Sequence, residues 1–211
     1  KKEYDFKTIS DSDCEVIIYL YKLCGMEKTC QLLDGVFSFV LYDKNTDKLF
    51  AARDPYGVRP LFMGNNEEKE LFISSELKSI SDKCKVVDQF NHGSYLEYKK
   101  NDIFMIKKYY NNNYKIDPLR SEEFILNCIK NKLTKAVKKR LLSDRPIGAL
   151  LSGGLDSSLI SGIICKIYKE QNTKNQLKTF SIGMKGSTDL DYAKSVSDYI
   201  GSEHHTIECT E

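Results

Sequence analysis

The hydrophobic period of the chain changes once along its length, and that change restricts the fold more than any other feature. Up to about residue 110 the apolar residues fall in runs of four to eight separated by Asn, Asp, Gly and Pro. They read GVFSFVLYD (35–43), KLFAAR (48–53), PLFMG (60–64) and ELFISS (70–75), then SYLEYK (94–99) and DIFMIKKYY (102–110) on either side of Lys100 and Asn101. Such runs between turn formers predict an antiparallel meander followed by a hairpin or two edge strands. One helix of about three turns precedes them, because Ser12 and Glu15 form a capping-box signature ahead of Val16, Ile17, Leu20 and Leu23 at helical spacing. From Ser121 the pattern is different. Apolar residues at 125, 126, 129, 133, 137 and 141 make a 3.6-residue stripe, with Glu122 and Glu123 near its start and Lys138, Lys139 and Arg140 near its end. After this long helix come IGALL (147–151), a helix over 156–169, LKTFSIGM (177–184), a helix over 189–201 closed by Gly201, and HHTIECT (204–210). Strands alternating with helices predict parallel pairing in a doubly wound sheet. The stretch between the two patterns, NNNYKIDPLR (111–120), is polar, contains a proline and has no period. The expected organisation is therefore α+β over 1–110, a linker over 111–120, and α/β over 121–211.

Charge and cysteines exclude several classes of function. Lys and Arg total 32 against 30 Asp and Glu, so a net charge of +2 gives no field that would select nucleic acid or a membrane surface. No apolar run approaches the ~18 residues of a spanning helix, and the opening KKEYDFKTISDSD lacks the apolar core of a secretory signal. A soluble intracellular protein without nucleic-acid or membrane partners is expected, and its expected place is the cytoplasm. Seven cysteines, an odd number with no C-x-x-C pair, suggest reduced core thiols, not a disulfide framework or a zinc site. His92, His204 and His205 have no metal-ligand spacing.

One short stretch carries chemistry. LLSGGLDSS (150–158) lies where a strand gives way to a helix, at the strand's carboxyl end, where open parallel sheets bind ligands. A helix beginning near Asp156 directs its free N–H groups and positive dipole end at an anion there, Gly153 and Gly154 allow close backbone approach, and Ser152, Ser157 and Ser158 add short donors. A carboxylate at 156 beside a phosphate makes sense if Mg²⁺ lies between them. A Walker A loop is excluded by the lack of lysine, and a dinucleotide fingerprint by the lack of a third glycine. The plain alternative is a strand-to-helix turn that uses Gly-Gly for geometry alone.

The text around the loop resembles a known family. LSGGLDSS resembles the pyrophosphate loop of the ATP pyrophosphatases, which cleave ATP between its α and β phosphates. KKRLLSDRPIGALLSGGLDSSLISGI, LKTFSIGM, STDLDYA and IGSEHH together resemble the start of the synthetase domain of glutamine-hydrolysing asparagine synthetases. SDCEVIIYLY, LLDGVFSFVLYD, ARDPYGVRPLF and SSELKSI, in this order, resemble the later part of the N-terminal-nucleophile glutaminase domain that precedes it in that family. The resemblance is poorest from about 82 to 118. It implies ATP and Mg²⁺ as cofactors, with glutamine, aspartate and ATP as small-molecule partners, and it is compatible with a homodimer. It implies that Asp13 pairs with the α-ammonium of glutamine. Leu150 and Ile182 would line the adenine and ribose pocket. Ser152, Gly153, Gly154, Asp156, Ser157 and Ser158 would form the pyrophosphate loop, with Asp156 as the Mg²⁺ ligand. Asp189 matches an acidic position near the nucleotide, although a first-turn helix carboxylate explains it equally well. Asp13, likewise, is also a helix first-turn carboxylate favoured by the dipole, and Leu150 and Ile182 also read as plain buried strand residues.

Arg53, Asp54, Tyr56 and Gly57 read as structural, a DPYG turn with proline at its second position and a local Arg53–Asp54 pair. The family's nucleophilic cysteine, its arginine clamp and its N-G-E segment would lie before residue 1, and its S-G-E-G-S-D-E signature and a later lysine beyond residue 211. The expectation is that the chain holds no catalytic nucleophile and is inactive alone, while its parent makes asparagine through a β-aspartyl-AMP intermediate with ammonia from glutamine. Two alternatives remain open: a relative with another acceptor, such as a β-lactam-forming synthetase, and a non-catalytic ATP-binding fragment; an amidophosphoribosyltransferase shares the ARDPYGVRPL text but needs no SGGLDSS loop, and that loop argues against it.

Overall fold

The computed structural model of the protein describes residues 9–10, 12–99, 105–114, 120–173 and 176–210. Its contacts divide the chain into two compact units, Lys1–Lys115 and Ile116–Glu211.

The first unit opens with α1 (Glu15–Leu32), bent at Gly25, whose φ of 75° and ψ of 172° are not helical. The predicted three-turn helix thus ends at Gly25 and a second helical stretch follows. The capping box does not form as expected. Cys14 is the N-cap, without a side-chain cap bond, and Ser12 Oγ accepts from the Cys14 N–H at 3.3 Å. Glu15 reaches further back, accepting from the N–H groups of Ile9 (2.8 Å) and Ser10 (2.9 Å), which hold its carboxyl down to about 2.

Among the described residues seven strands follow: β1 (Ser38–Asp43), β2 (Lys48–Arg53), β3 (Phe62–Asn65), β4 (Leu71–Ser74), β5 (Val86–Gln89), β6 (Ser94–Lys99) and β7 (Met105–Lys108). They do not make one meander. β1-β2-β6-β7 form an antiparallel sheet, and β4-β3-β5 form another. β5 had no distinct signal in the sequence, since VVDQ is short and largely exposed. The expected turn at Lys100 and Asn101 lies outside the described residues. Alternation along the four-stranded sheet explains the layers. Phe39, Leu41, Phe50, Ala52 and Tyr95 share one face and pack with Tyr21, Met26 and Cys30 of α1. Leu49, Ala51, Leu96 and Tyr98 share the other and pack with Leu61, Met63, Leu71, Ile73 and Phe90 around the three-stranded sheet. The unit is a helix layer on two sheet layers, the middle sheet being covered on both faces.

The chain passes between the sheets at the DPYG turn, and the reason is a buried cage. Arg53 (5% exposed) donates from its guanidinium to the carbonyls of Arg59, Phe90 and Gly57, each at 2.7 Å. Asp54 (1% exposed) accepts from the N–H groups of Tyr56 (3.1 Å), Val58 (3.1 Å) and Arg59 (3.0 Å). The expected Arg53–Asp54 pair is therefore replaced by two side chains that each satisfy backbone groups of the turn, as burial demands. Gly57 has a φ of 66°, and a Cβ there would come within 3.0 Å of the Arg53 guanidinium carbon. Burial pushes the Asp54 carboxyl up, but the N–H groups of Arg59, Val58 and Tyr56 outweigh it and leave it below the usual carboxylate range.

The second unit contains α2 (Glu122–Arg140), β8 (Gly148–Leu150), α3 (Leu155–Glu170), β9 (Lys178–Met184), α4 (Thr188–Ile200) and β10 (Glu203–Cys209). Ser121 caps α2 through its side chain, and Glu122, Glu123 and the terminal Lys138, Lys139 and Arg140 complement its dipole. Only the second half of the predicted apolar stripe is used. Val137 and Leu141 pack with Ile164, Ile167, Leu177 and Ile200, while Ile125, Leu126 and Ile129 are exposed. The strands are parallel in the order β10-β9-β8. Each crossover advances to the next strand in the same direction, so right-handed connections place α3 and α4 on one face. Thr179 and Ser181 of β9 are buried on that face. The α/β expectation for this part of the chain is met by the parallel sheet and its crossover helices.

Candidate functional site

The stretch from Leu150 to Ser158 leaves the carboxyl end of β8. Leu151 is buried, 1% exposed, and its N–H donates to the Phe180 carbonyl of β9 at 2.8 Å, which fixes where the strand ends. The chain then turns at Gly153, with a φ of 78°, and enters α3 with Gly154 as an N-cap that has no side chain to offer. A glycine cap leaves the mouth of the helix open, and the first three N–H groups of α3, at 155–157, have no intrahelical acceptor. Asp156 lies in this first turn and is exposed.

Hydroxyls hold the loop in shape. Ser157 Oγ accepts from the Ser152 N–H at 3.2 Å, lies 2.9 Å from Ser152 Oγ and donates to the Gly154 carbonyl at 3.2 Å. Ser158 Oγ donates to the same carbonyl at 2.7 Å, and Ser152 Oγ accepts from the Gly154 N–H at 3.4 Å. The three serines that the sequence offered as donors to an anion are thus bonded within the loop. The remaining anion-directed groups are the backbone N–H groups and the helix dipole, which favour a phosphate-sized anion at the helix mouth.

Leu150 and Ile182 come onto one sheet face. Leu150 is paired in register with Phe180, and Ile182 follows Phe180 by two residues, so the three point away from Thr179 and Ser181. Leu150 is 83% exposed and Ile182 68% exposed. Sequence reading found these two but missed the rest of the apolar wall beside the loop. Ile207 pairs with Ile182, and His205 stacks on Phe180 with ring centroids 5.1 Å apart. The signal was present in LKTFSIGM, whose large apolar residues alternate with Thr179, Ser181 and Gly183. Exposure, however, depends on which face the helices cover. Asp189 occupies the first turn of α4, where Ser187 Oγ caps its N–H at 3.3 Å. Asp13 belongs to the first unit, in the exposed turn ahead of α1, and its Oδ1 accepts from Cys14 Sγ at 3.6 Å.

Behind the sheet, on the α4 side, a hydroxyl network surrounds His204. Thr179 Oγ1 lies 2.9 Å from its Nδ1 and Ser181 Oγ 3.1 Å from its Nε2. Burial, and then the Lys194 ammonium, hold this imidazole below the usual histidine range. Among the described residues no group of three or more His, Cys, Asp or Glu could hold a metal ion by itself. Among them, too, no helix is long and apolar enough to cross a membrane.

Comparison with known proteins matches both units. The glutamine amidotransferase domain family matches residues 1–127, and the asparagine synthase family matches residues 129–211. Among curated relatives, the glutamine-hydrolysing asparagine synthetases of Pongo abelii and Homo sapiens are each 39% identical over an alignment of 229 positions, covering 98% of this chain and 41% of theirs. Glutamine-hydrolysing asparagine synthetase 2 of Oryza sativa subsp. japonica is 38% identical and covers 99% of this chain and 35% of that one. The chain thus spans about two-fifths of the length of the relatives it matches. Among solved structures, a glutamine phosphoribosylpyrophosphate amidotransferase of B. subtilis, complexed with ADP and GMP, is 13% identical. It covers 97% of this chain and 56% of that one, with a TM-score of 0.47. With an amidotransferase segment first, an asparagine synthase segment second, and close identity along almost its whole length, the chain belongs to the family of glutamine-hydrolysing asparagine synthetases.

Proposed function

We propose that this chain is part of an enzyme that makes L-asparagine from L-aspartate and L-glutamine at the expense of ATP, and that loop 152–158 receives the nucleotide's pyrophosphate. The observation that carries this reading is the glycine-capped mouth of α3, whose hydroxyls are spent on the loop's own shape and whose first backbone N–H groups have no intrahelical acceptor. Family membership supports the chemistry around it.

In this reading a β-carboxylate oxygen of aspartate attacks the α-phosphorus of ATP, and the bond from that phosphorus to the bridging oxygen of pyrophosphate breaks. Negative charge gathers on the departing pyrophosphate, where the N–H groups at 155–157 and the α3 dipole are already oriented and need no rearrangement. Ammonia released from glutamine then attacks the acyl carbon and AMP leaves. Leu150 and Ile182 supply an apolar wall for the adenine and ribose. Asp156 fits a Mg²⁺ that arrives with the nucleotide, since magnesium sites combine one or two carboxylates with phosphate oxygens. Magnesium there would neutralise charge between the phosphates. Asp13 holds the α-ammonium of glutamine in the first unit. All partners in this chemistry are small molecules, and its place is the cytoplasm.

Isothermal titration of the protein with Mg-ATP tests the nucleotide site. Saturable binding is expected, with Asp156→Asn weakening it about tenfold. Wild-type protein that binds no Mg-ATP, or an Asp156→Asn variant that binds as the wild type does, refutes the assignment.

A further inference from the structure

The loop is shaped by its own hydroxyls, but its placement is decided by α4. A Cβ built on Gly153 would fall 2.6 Å from Tyr192 Cβ, 2.8 Å from the Ala193 nitrogen and 3.0 Å from the Tyr192 carbonyl carbon. The loop therefore rests directly on the backbone of the second turn of α4, with no side chain between them. A second contact fixes α4 in turn. A Cβ on Gly183 of β9 would fall 3.1 Å from Leu190 Cγ, so the first turn of the helix is seated closely on the strand through the Leu190 side chain. Ala193, whose nitrogen makes the Gly153 contact, is completely buried, 0% exposed. Tyr192 differs, because the residue is 64% exposed while its Cβ supports Gly153.

We infer that Ala193 is a positioning residue for the pyrophosphate loop, with the Cβ of Tyr192 as its companion. The small side chain at 193 lets α4 approach until its backbone and that Cβ set the position of Gly153, and through Gly153 the direction of the N–H groups that follow. This rests on the proposed reading of the loop as a pyrophosphate site. It extends that reading to a helix that supplies none of the loop's own residues.

The test is titration of Mg-pyrophosphate into wild-type protein and variants, with thermal unfolding of each. Ala193→Val pushes added methyl groups against the seat and is expected to weaken pyrophosphate binding about tenfold, whereas Ala193→Ser restores near-wild-type affinity. Tyr192→Gly, at an exposed position that tolerates change, removes the supporting Cβ and is expected to weaken binding several-fold. Tyr192→Ala, which removes the ring but keeps the Cβ, stays within about twofold of wild type. The two Tyr192 substitutions keep the inference testable even where the Ala193→Val variant does not fold. A lower unfolding midpoint with unchanged affinity in the folded protein, or equal affinities for the Tyr192→Gly and Tyr192→Ala variants, would overturn the inference while leaving the pyrophosphate site intact. Wild-type protein that binds no pyrophosphate would overturn the underlying reading.

Discussion

Removing the Asp54 carboxylate should be among the most damaging single changes in the first unit. Its side chain is 1% exposed and accepts three backbone N–H bonds at 3.0–3.1 Å, from Tyr56, Val58 and Arg59. Asp54→Ala strands all three donors, whose bonds are part-buried, and an unmet donor costs about 1–3 kcal/mol where it is buried. Water entering the turn recovers part of this, so a loss of about 3–5 kcal/mol is expected, a large fraction of the ~5–15 kcal/mol that holds a domain folded. Asp54→Asn keeps one acceptor oxygen for the Tyr56 and Val58 donors but turns an amide N–H towards the Arg59 N–H, so about half that loss is expected. Acid should separate the variants as well. A carboxyl held below its unfolded value contributes stability that is complete above the unfolded range, near pH 4, and is lost as pH falls through the lower folded value. The wild type should therefore lose stability in that acid window and the Asp54→Asn variant should lose less. Urea unfolding followed by far-ultraviolet circular dichroism suits a chain that has no tryptophan. An Asp54→Ala variant within about 1 kcal/mol of wild type would refute the cage as the basis of the turn.

Two further outcomes follow from the second unit. Gly153→Ala combines a φ of 78° with a Cβ 2.6 Å from Tyr192 Cβ, so it should destabilise the unit by about 2–4 kcal/mol and displace the loop, read by urea unfolding together with pyrophosphate titration. A Gly153→Ala variant with wild-type stability and affinity would show that the seat is soft. His204 is held below its ordinary range while Thr179 and Ser181 occupy both ring nitrogens, with Lys194, Asp198 and His205 as the charged and titratable neighbours. Stability from its neutral form is complete above the unfolded histidine range and is lost as pH falls through the lower folded value. The thermal midpoint should therefore drop as pH falls below the ordinary histidine range, and His204→Gln should flatten that drop. A variant with the wild-type slope would remove His204 from the account.

The change of hydrophobic period and the SGGLDSS stretch were enough to foresee the antiparallel first half, the α/β second half and the place of the loop. These depend on local pattern: alternation and helical stripes state which residues must be buried together, and Gly-Gly after an apolar strand admits few backbone paths. The same text misled where a residue had to choose among partners. Glu15 bonds the N–H groups of Ile9 and Ser10 instead of closing a box with Ser12, and Arg53 and Asp54 satisfy carbonyls and N–H groups instead of each other. Short-range spacing cannot rank such partners, because burial sets the penalty for an unmet group and burial depends on how the layers stack.

Periodicity and motifs contiguous in the chain were therefore sufficient for the two fold classes, the loop and the family resemblance. Docking of the elements settled what those patterns left open: two sheets replace one meander, and Leu150, Phe180, Ile182 and Ile207 form one exposed wall. It also set Gly153 on Tyr192 and Ala193, which belong to a helix two elements further along the chain. The physical reason is close packing: which atoms come within a van der Waals radius is settled when distant elements dock, and a pattern read along one dimension does not contain that distance.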